Sequence, residues 1–209
     1  HLMFTVKKTA ATLLAIASAL IIVSCDKRSI KPSDNIVTKN YYFNKISDIT
    51  AASKYITVYY SQQKHTSVKA EGPSNMVDAL HIKSDALNRL IIEIENSDKF
   101  DVIYKSQSVK VWITAPYVQR IAAMAGASVI VPDSINIPKS LDIRAYSASS
   151  IKLSDVRTSR LSVSAYQQSE ISIGNIHATS LKTESYTDAY ISIAGKNIDT
   201  KKHTTRGYR

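Results

Sequence analysis

The chain has 209 residues, of which 44% are hydrophobic and 21% are charged, with a formal net charge of +10. This length allows one domain with a sizeable core. A single cysteine excludes an intrachain disulfide scaffold.

The chain opens with the pattern of an export signal. Lys7 and Lys8 supply positive charge, and residues 10–23 form an uncharged run of apolar, Ala, Ser and Thr residues. A permanent transmembrane helix needs about 20 apolar residues, so this run is too short. We expect residues 1–24 to be a lipoprotein signal peptide that is cleaved.

Cys25 directly follows this run, in the sequence Ile-Val-Ser-Cys, which resembles a bacterial lipobox. We expect Cys25 to be lipidated and to attach the chain to a membrane, in preference to being a buried free cysteine. Residues 26–40 are polar and lack a hydrophobic period, so residues 25–40 are predicted to be the lipidated cysteine and a flexible tether. The expected location is the cell envelope, on the periplasmic face or outer surface of the outer membrane.

Alternation with a period of two begins after residue 41. Apolar and polar residues alternate over residues 56–60, 90–95 and 109–114. Side chains of a β-strand point to opposite faces in turn, so each segment is predicted to be a strand with one buried face. A short helix is predicted only near residues 75–80.

The C-terminal half contains three copies of a 20-residue repeat, at residues 140–159, 160–179 and 180–199. A looser copy begins at Ile121 and includes Val129 and Val131. The aligned columns are Leu141, Leu161 and Leu181; Tyr146, Tyr166 and Tyr186; Ile151, Ile171 and Ile191; and Leu153, Ile173 and Ile193.

Turn-forming pairs recur at Pro132-Asp133, Ser154-Asp155 and Gly174-Asn175. Each copy is therefore predicted to be strand, turn, strand. One copy cannot bury its apolar face, but stacked copies share a continuous core. We predict an all-β domain over residues 41–200, a right-handed parallel β-helix-like solenoid with mixed or antiparallel N-terminal strands. The consensus of a leucine-rich repeat is absent.

The stretch from residue 115 to residue 153 resembles a known family. Ala115-Pro116, residues 126–129 (Gly-Ala-Ser-Val) and residues 147–151 (Ser-Ala-Ser-Ser-Ile) are similar to the head GIN domain of auto-transporter adhesins, which are Bacteroidetes envelope proteins. The resemblance extends over roughly residues 41–199 and implies a β-helix-like fold and an envelope location. Tyr146, Tyr166 and Tyr186 stand near the position where that family usually has glycine.

The sequence predicts no metal site and no cofactor. His65, His81, His177 and His203 are far apart and form no metal-binding pair. A nucleophilic serine elbow of the Gly-x-Ser-x-Gly type is absent.

A carbohydrate-active enzyme is the alternative that the sequence leaves open. Retaining hydrolysis needs two carboxylates about 5 to 5.5 Å apart, which neighbouring rungs of a solenoid could supply. Only Asp133 and Asp155 share a column, and Asx turns explain that column without catalysis.

The tyrosine column is the candidate binding surface. Aliphatic core residues are odd-numbered in these copies and Tyr146, Tyr166 and Tyr186 are even-numbered, so the rings are predicted to face outward. An aromatic strip suits sugar rings or a protein partner, although cross-strand aromatic packing is also stabilising by itself.

A basic tail is predicted at residues 201–209, with Lys201, Lys202, Arg206 and Arg209. The other basic residues are scattered, which argues against nucleic acid as a partner. The sequence therefore favours a non-enzymatic, lipid-anchored envelope module that binds a glycan or an envelope or host protein, with a purely structural envelope protein as a further alternative.

Overall fold

The computed structural model describes residues 29–197, and nearly all of its regular structure is β-strand. The strands are β1 (Ile36–Tyr41), β2 (Asp48–Ala51), β3 (Ile56–Gln62), β4 (Ser67–Pro73), β5 (Leu80–Ser84), β6 (Arg89–Ile94), β7 (Val109–Ala115), β8 (Arg120–Ala123), β9 (Ser128–Ala145), β10 (Ser150–Tyr166), β11 (Glu170–Tyr186), β12 (Tyr190–Ile193) and β13 (Lys196–Asn197). One short α-helix, α1, spans Ser74–Asp78, close to the predicted position, and two single-turn 3₁₀ helices span Ser97–Lys99 and Lys105–Gln107.

The strands form two walls that share the three long strands. In the first wall, β7, β3, the first part of β9, β10 and β11, and then β12 pair in parallel. In the second wall, β6, β2, β8 and the last part of β9, β10 and β11 pair in parallel. All 13 strands belong to one sheet, which curls until it is nearly closed and barrel-like, so that the two walls are its opposite sides. The structure thus confirms the all-β class.

Antiparallel strands extend the N-terminal ends of both walls. Strand β4 pairs with β7 and β1 pairs with β4 in the first wall, while β5 pairs with β6 in the second. These pairings give the N-terminal part the mixed strand directions that the sequence favoured.

The 20-residue repeat is a stack of rungs in register. Leu161 pairs with Leu141 on one side and Leu181 on the other, and all three side chains are at most 3% exposed. Neighbouring parallel strands lie about 4.8 Å apart, so each aliphatic column forms a ladder inside the fold. Because the aliphatic residues at alternate positions of every rung all face inward, the repeated apolar pattern produces one continuous core.

The predicted turns in the middle of each copy are corrected by the structure. Strands β9, β10 and β11 continue through Pro132-Asp133, Ser154-Asp155 and Gly174-Asn175. Two register irregularities separate β9 from β10, between Leu153 and Asp155 and between Thr158 and Arg160. The chain reverses instead at pairs of left-handed residues that follow the tyrosines: Ser147 and Ala148, Gln167 and Gln168, and Thr187 and Asp188. Gly126 of the preceding turn occupies the position equivalent to Ala148, since Ser128 pairs with Ser150.

Part of the segment expected to be a tether is ordered in the fold. Strand β1 takes Ile36–Tyr41 into the first wall, and the Ile30 backbone forms a bridge with Phe100. The predicted signal peptide, Cys25 and the basic tail at 201–209 lie outside the described residues. Within residues 29–197, no helix is long and apolar enough to cross a membrane.

Candidate tyrosine ladder

The tyrosine column forms a stacked ladder on the outside of the second wall. The ring centroids of Tyr146 and Tyr166 are 5.1 Å apart with planes inclined by 7°, and those of Tyr166 and Tyr186 are 5.6 Å apart with planes inclined by 10°. Parallel pairing in register places the three side chains one strand apart. We call Tyr146, Tyr166 and Tyr186 the tyrosine ladder.

Buried serines fix the backbone at the base of the ladder. The Ser149 hydroxyl accepts a hydrogen bond from the Tyr146 amide at 3.1 Å and donates to the Ala123 carbonyl at 2.8 Å. Ser169 makes the equivalent bonds one rung later, from the Tyr166 amide at 2.9 Å and to Ala145 at 2.9 Å. Each serine ties its turn to the preceding rung, so the tyrosines project from a rigid part of the sheet.

Charged side chains lie beside the ladder, and one of them accepts a hydrogen bond from the central tyrosine. The Tyr166 hydroxyl donates to Glu184 Oε2 at 3.2 Å, and Lys182 lies 2.7 Å from Glu184 Oε1. Burial raises the pKa of Tyr166, and the neighbouring Glu184 carboxylate adds to the effect. Arg144 pairs with Asp142 at 2.7 Å, and its hydrogen bond to Asp142 raises the pKa of the guanidinium.

The ladder presents ring edges and hydroxyl groups more than open ring faces. Since adjacent planes are nearly parallel at about 5 Å, each ring covers much of its neighbour's face. Tyr146 and Tyr166 are half-buried, whereas Tyr186 is 51% exposed. Sugar rings bind aromatic faces, so this geometry is a poorer sugar platform than the sequence suggested. Tyrosine and arginine side chains whose polar atoms are hydrogen-bonded are typical of protein interfaces.

The structure separates the two carboxylates considered for glycoside hydrolysis. Asp155 pairs with Ser134, and Asp133 occupies the irregularity where Ser154 lies opposite two residues of β9. Matching Asp133 to Asp155 was therefore wrong, because the looser first copy is longer than the others. The Asp133 carboxylate accepts a hydrogen bond from Ser61 at 3.1 Å.

Asp155 has the wrong electrostatics for a general acid. Its carboxylate accepts a hydrogen bond from Ser134 at 2.6 Å, which, with His177 and Arg157 nearby, lowers the pKa. A catalytic acid at neutral pH needs a raised pKa. The residue is better described as the acceptor in a surface polar cluster. Across residues 29–197 no three His, Cys, Asp or Glu side chains are grouped to hold a metal ion.

Sequence reasoning missed a second aromatic stack, on the first wall. Tyr59 and Trp112 pair across β3 and β7, with ring centroids 5.8 Å apart and planes at 16°, and the Lys69 ammonium lies 4.6 Å from the Trp112 ring centroid. The alternation of apolar and polar residues along β3 and β7 predicts that both rings lie on the outer, polar face of their strands. Their pairing could not be read from the sequence, because these strands are about 50 residues apart and outside the regular repeat.

The chain is similar to several structures of Bacteroidetes proteins. A family model described as "putative auto-transporter adhesin, head GIN domain" matches residues 43–205. A "putative adhesin" from Bacteroides fragilis superposes with a TM-score of 0.65 at 19% identity, covering 79% of this chain and 82% of that one.

Two proteins of Parabacteroides distasonis share the fold. One is described as a "putative adhesin", with a TM-score of 0.59, 12% identity, and coverage of 78% of this chain and 75% of that one. The other is described as a "putative lipid binding protein", with a TM-score of 0.51, 14% identity, and 77% coverage of both chains. At these identities the similarity establishes the fold. No curated protein is significantly similar to the chain.

Proposed function

This chain belongs to the family described as "putative auto-transporter adhesin, head GIN domain", and from that membership we propose that it is a non-enzymatic, lipid-anchored interaction module of the cell envelope. Its tyrosine ladder contacts a protein on the same or a neighbouring cell surface. We also propose that the stacked rungs coil as a right-handed parallel β-helix. The parallel register of the rungs and the usual right-handedness of parallel crossovers support this handedness.

The tyrosine ladder is the observation that carries this function. Three stacked rings form a ridge, in which buried serines hold the backbone of Tyr146 and Tyr166 and Glu184 accepts a hydrogen bond from the Tyr166 hydroxyl. A rigid aromatic ridge loses little conformational entropy on binding, and tyrosine and arginine are enriched at binding hot spots. Arg144 beside Tyr146 adds a polar rim of the kind found around such hot spots.

The lipid anchor rests on Cys25. Its position directly after the apolar run matches the site where bacterial lipoproteins are modified. Cells expressing the full chain and fed labelled palmitate should yield a labelled protein in the membrane fraction, and Cys25→Ser should abolish both label and membrane attachment. A labelled Cys25→Ser variant would refute lipidation at this residue. Protease treatment of intact cells then distinguishes the outer surface from the periplasmic face.

Quantitative capture of envelope and host-surface proteins tests the ladder. Tyr166→Ala and Tyr186→Ala should reduce recovery of a captured partner at least about tenfold, the size expected of hot-spot residues. Tyr190→Ala is the matched control, because Tyr190 is 61% exposed and outside the ladder. Circular dichroism establishes that each variant is folded.

Other outcomes assign the protein to the alternatives. Binding to a neutral glycan array that the Tyr166→Ala change removes would replace the protein partner with a glycan. Glycan turnover abolished by Asp155→Asn would make the protein an enzyme. Absence of any ligand, with an envelope defect in cells lacking the protein, would indicate a structural role.

A further inference from the structure

A groove with unpaired positive charge lies at one corner of the fold, where the long strands enter the second wall. Its cavity is about 420 Å³, and it is lined by residues just before β2 and β8, by the middle of β9 and by Arg160 within β10. Among its lining residues are Lys45, Tyr117, Gln119, Lys139, Ser140 and Arg160. We call this surface the corner groove.

The charge of the corner groove is positive and uncompensated. Lys45, Lys139 and Arg160 all line it, no acidic residue does, and none of the three has an ion pair within residues 29–197. The arginines of the neighbouring wall behave differently, since Arg120 lies 3.0 Å from Asp142 and Arg144 lies 2.7 Å from it. Three cations held together without partners cost repulsion, which an anionic ligand would relieve.

The groove also offers an aromatic side chain and free hydrogen-bonding groups. Tyr117 is 59% exposed, and the Gln119 and Ser140 side chains make no hydrogen bond to residues 29–197. Tyr117 has no stacked ring neighbour in that range, in contrast to the tyrosine ladder, so its face is accessible. An open aromatic face next to amide and hydroxyl groups is suited to a sugar ring.

The corner groove continues along the stack of rungs. A second cavity of about 330 Å³ shares Ser140 and Arg160 with the first and extends to Ser180 and Lys182. The carboxylate in its lining, Asp142, is already paired with Arg120 and Arg144. Ser140, Arg160 and Ser180 are paired in register, so the surface follows the rungs at about 4.8 Å per step. An elongated surface favours a linear polymer over a compact anion.

We propose that the corner groove binds an acidic polysaccharide. The carboxylate or sulfate groups of the polymer pair with Arg160, Lys139 and Lys45, and one sugar ring lies against Tyr117. Guanidinium groups suit this role because their planar donors match an oxyanion in pairs. This site is additional to the protein-binding ladder.

Calorimetric titration with oligogalacturonate, using its methyl ester as the neutral probe, tests the proposal on the full chain. Arg160→Gln and Lys139→Gln should each weaken oligogalacturonate binding about tenfold, as expected for loss of one charge-assisted hydrogen bond. Lys152→Gln is the control: it removes the same charge from an exposed position outside the groove. It should change affinity less than twofold, and the ester should not bind measurably.

Three results would overturn the proposal. If Lys152→Gln and Arg160→Gln weaken oligogalacturonate binding equally, net charge alone attracts the polymer. If the protein binds neither oligogalacturonate nor a sulfated oligosaccharide, no acidic glycan fits the groove. Arg160-dependent binding to phosphatidylglycerol vesicles without glycan binding would assign the groove to lipid. Tyr166→Ala separates the two proposals, because it should leave oligogalacturonate binding unchanged while reducing protein capture.

Discussion

Replacing Ser169 with alanine should destabilise the protein through the hydrogen bonds of one hydroxyl group. The Ser169 side chain is 0% exposed, accepts from the Tyr166 amide and donates to the Ala145 carbonyl, both at 2.9 Å. Alanine fills nearly the same space but leaves a donor and an acceptor without partners. Each such group costs about 1–3 kcal/mol when buried, and the Tyr166 amide is only partly buried, so we expect a loss of about 2–4 kcal/mol.

Urea unfolding followed by far-ultraviolet circular dichroism measures this loss as a lower midpoint at constant slope. A loss of this size lowers the melting temperature by roughly 4–16 °C for a domain of 150–250 residues. Ser149→Ala should behave similarly, because Ser149 makes the same two bonds one rung earlier. Ser154→Ala is the control at an exposed position. Losses under about 0.5 kcal/mol for both buried serines would refute the reasoning, since surface substitutions have effects of that size.

Three further changes test the rungs themselves. Gly174→Ala should cost about 1–3 kcal/mol in urea unfolding, because its Cβ would lie 2.4 Å from the Ser154 carbonyl oxygen, and a neutral effect would contradict the observed backbone approach. Ala148→Gly should raise stability by up to about 1 kcal/mol, because Ala148 has φ of 57° and glycine adopts this conformation without strain; a destabilised variant would show that the strain is small. Asp155 has a pKa below its usual 3.8, mainly because of the Ser134 hydrogen bond. The ionised carboxylate therefore adds to the free energy of unfolding above pH 3.8, and this stabilisation is lost as pH falls through the folded-state pKa. Asp155→Asn should therefore flatten the acid side of the curve of urea midpoint against pH, and an unchanged curve would remove Asp155 from acid unfolding.

The stacking of the repeat copies and the residues that face inward were predictable from the sequence. Leu141, Leu161 and Leu181 recur every 20 residues at the same position of each copy, and stacking the copies in register is the arrangement that buries all three. The outward direction of Tyr146 and Tyr166 followed from the same phase, since side chains alternate along a strand.

The irregular part was not predictable in the same way. One of the extra residues in the looser first copy moves Asp133 away from Asp155, and a one-residue change of register cannot be seen without the partner strand. Within the regular repeat, the position of the turn was also misjudged. Ser147 and Ala148 adopt left-handed backbone angles that serine and alanine rarely adopt, because backbone hydrogen bonds to the rungs on both sides hold them.

By itself, the sequence determined the all-β class, the repeat length and the side of each rung that faces inward, because alternation and period are local properties of the chain. The tertiary structure alone decided which surfaces are formed from distant segments. Lys45 and Tyr117 precede β2 and β8, whereas Arg160 lies within β10. They share a groove only because parallel pairing places these segments side by side at one corner.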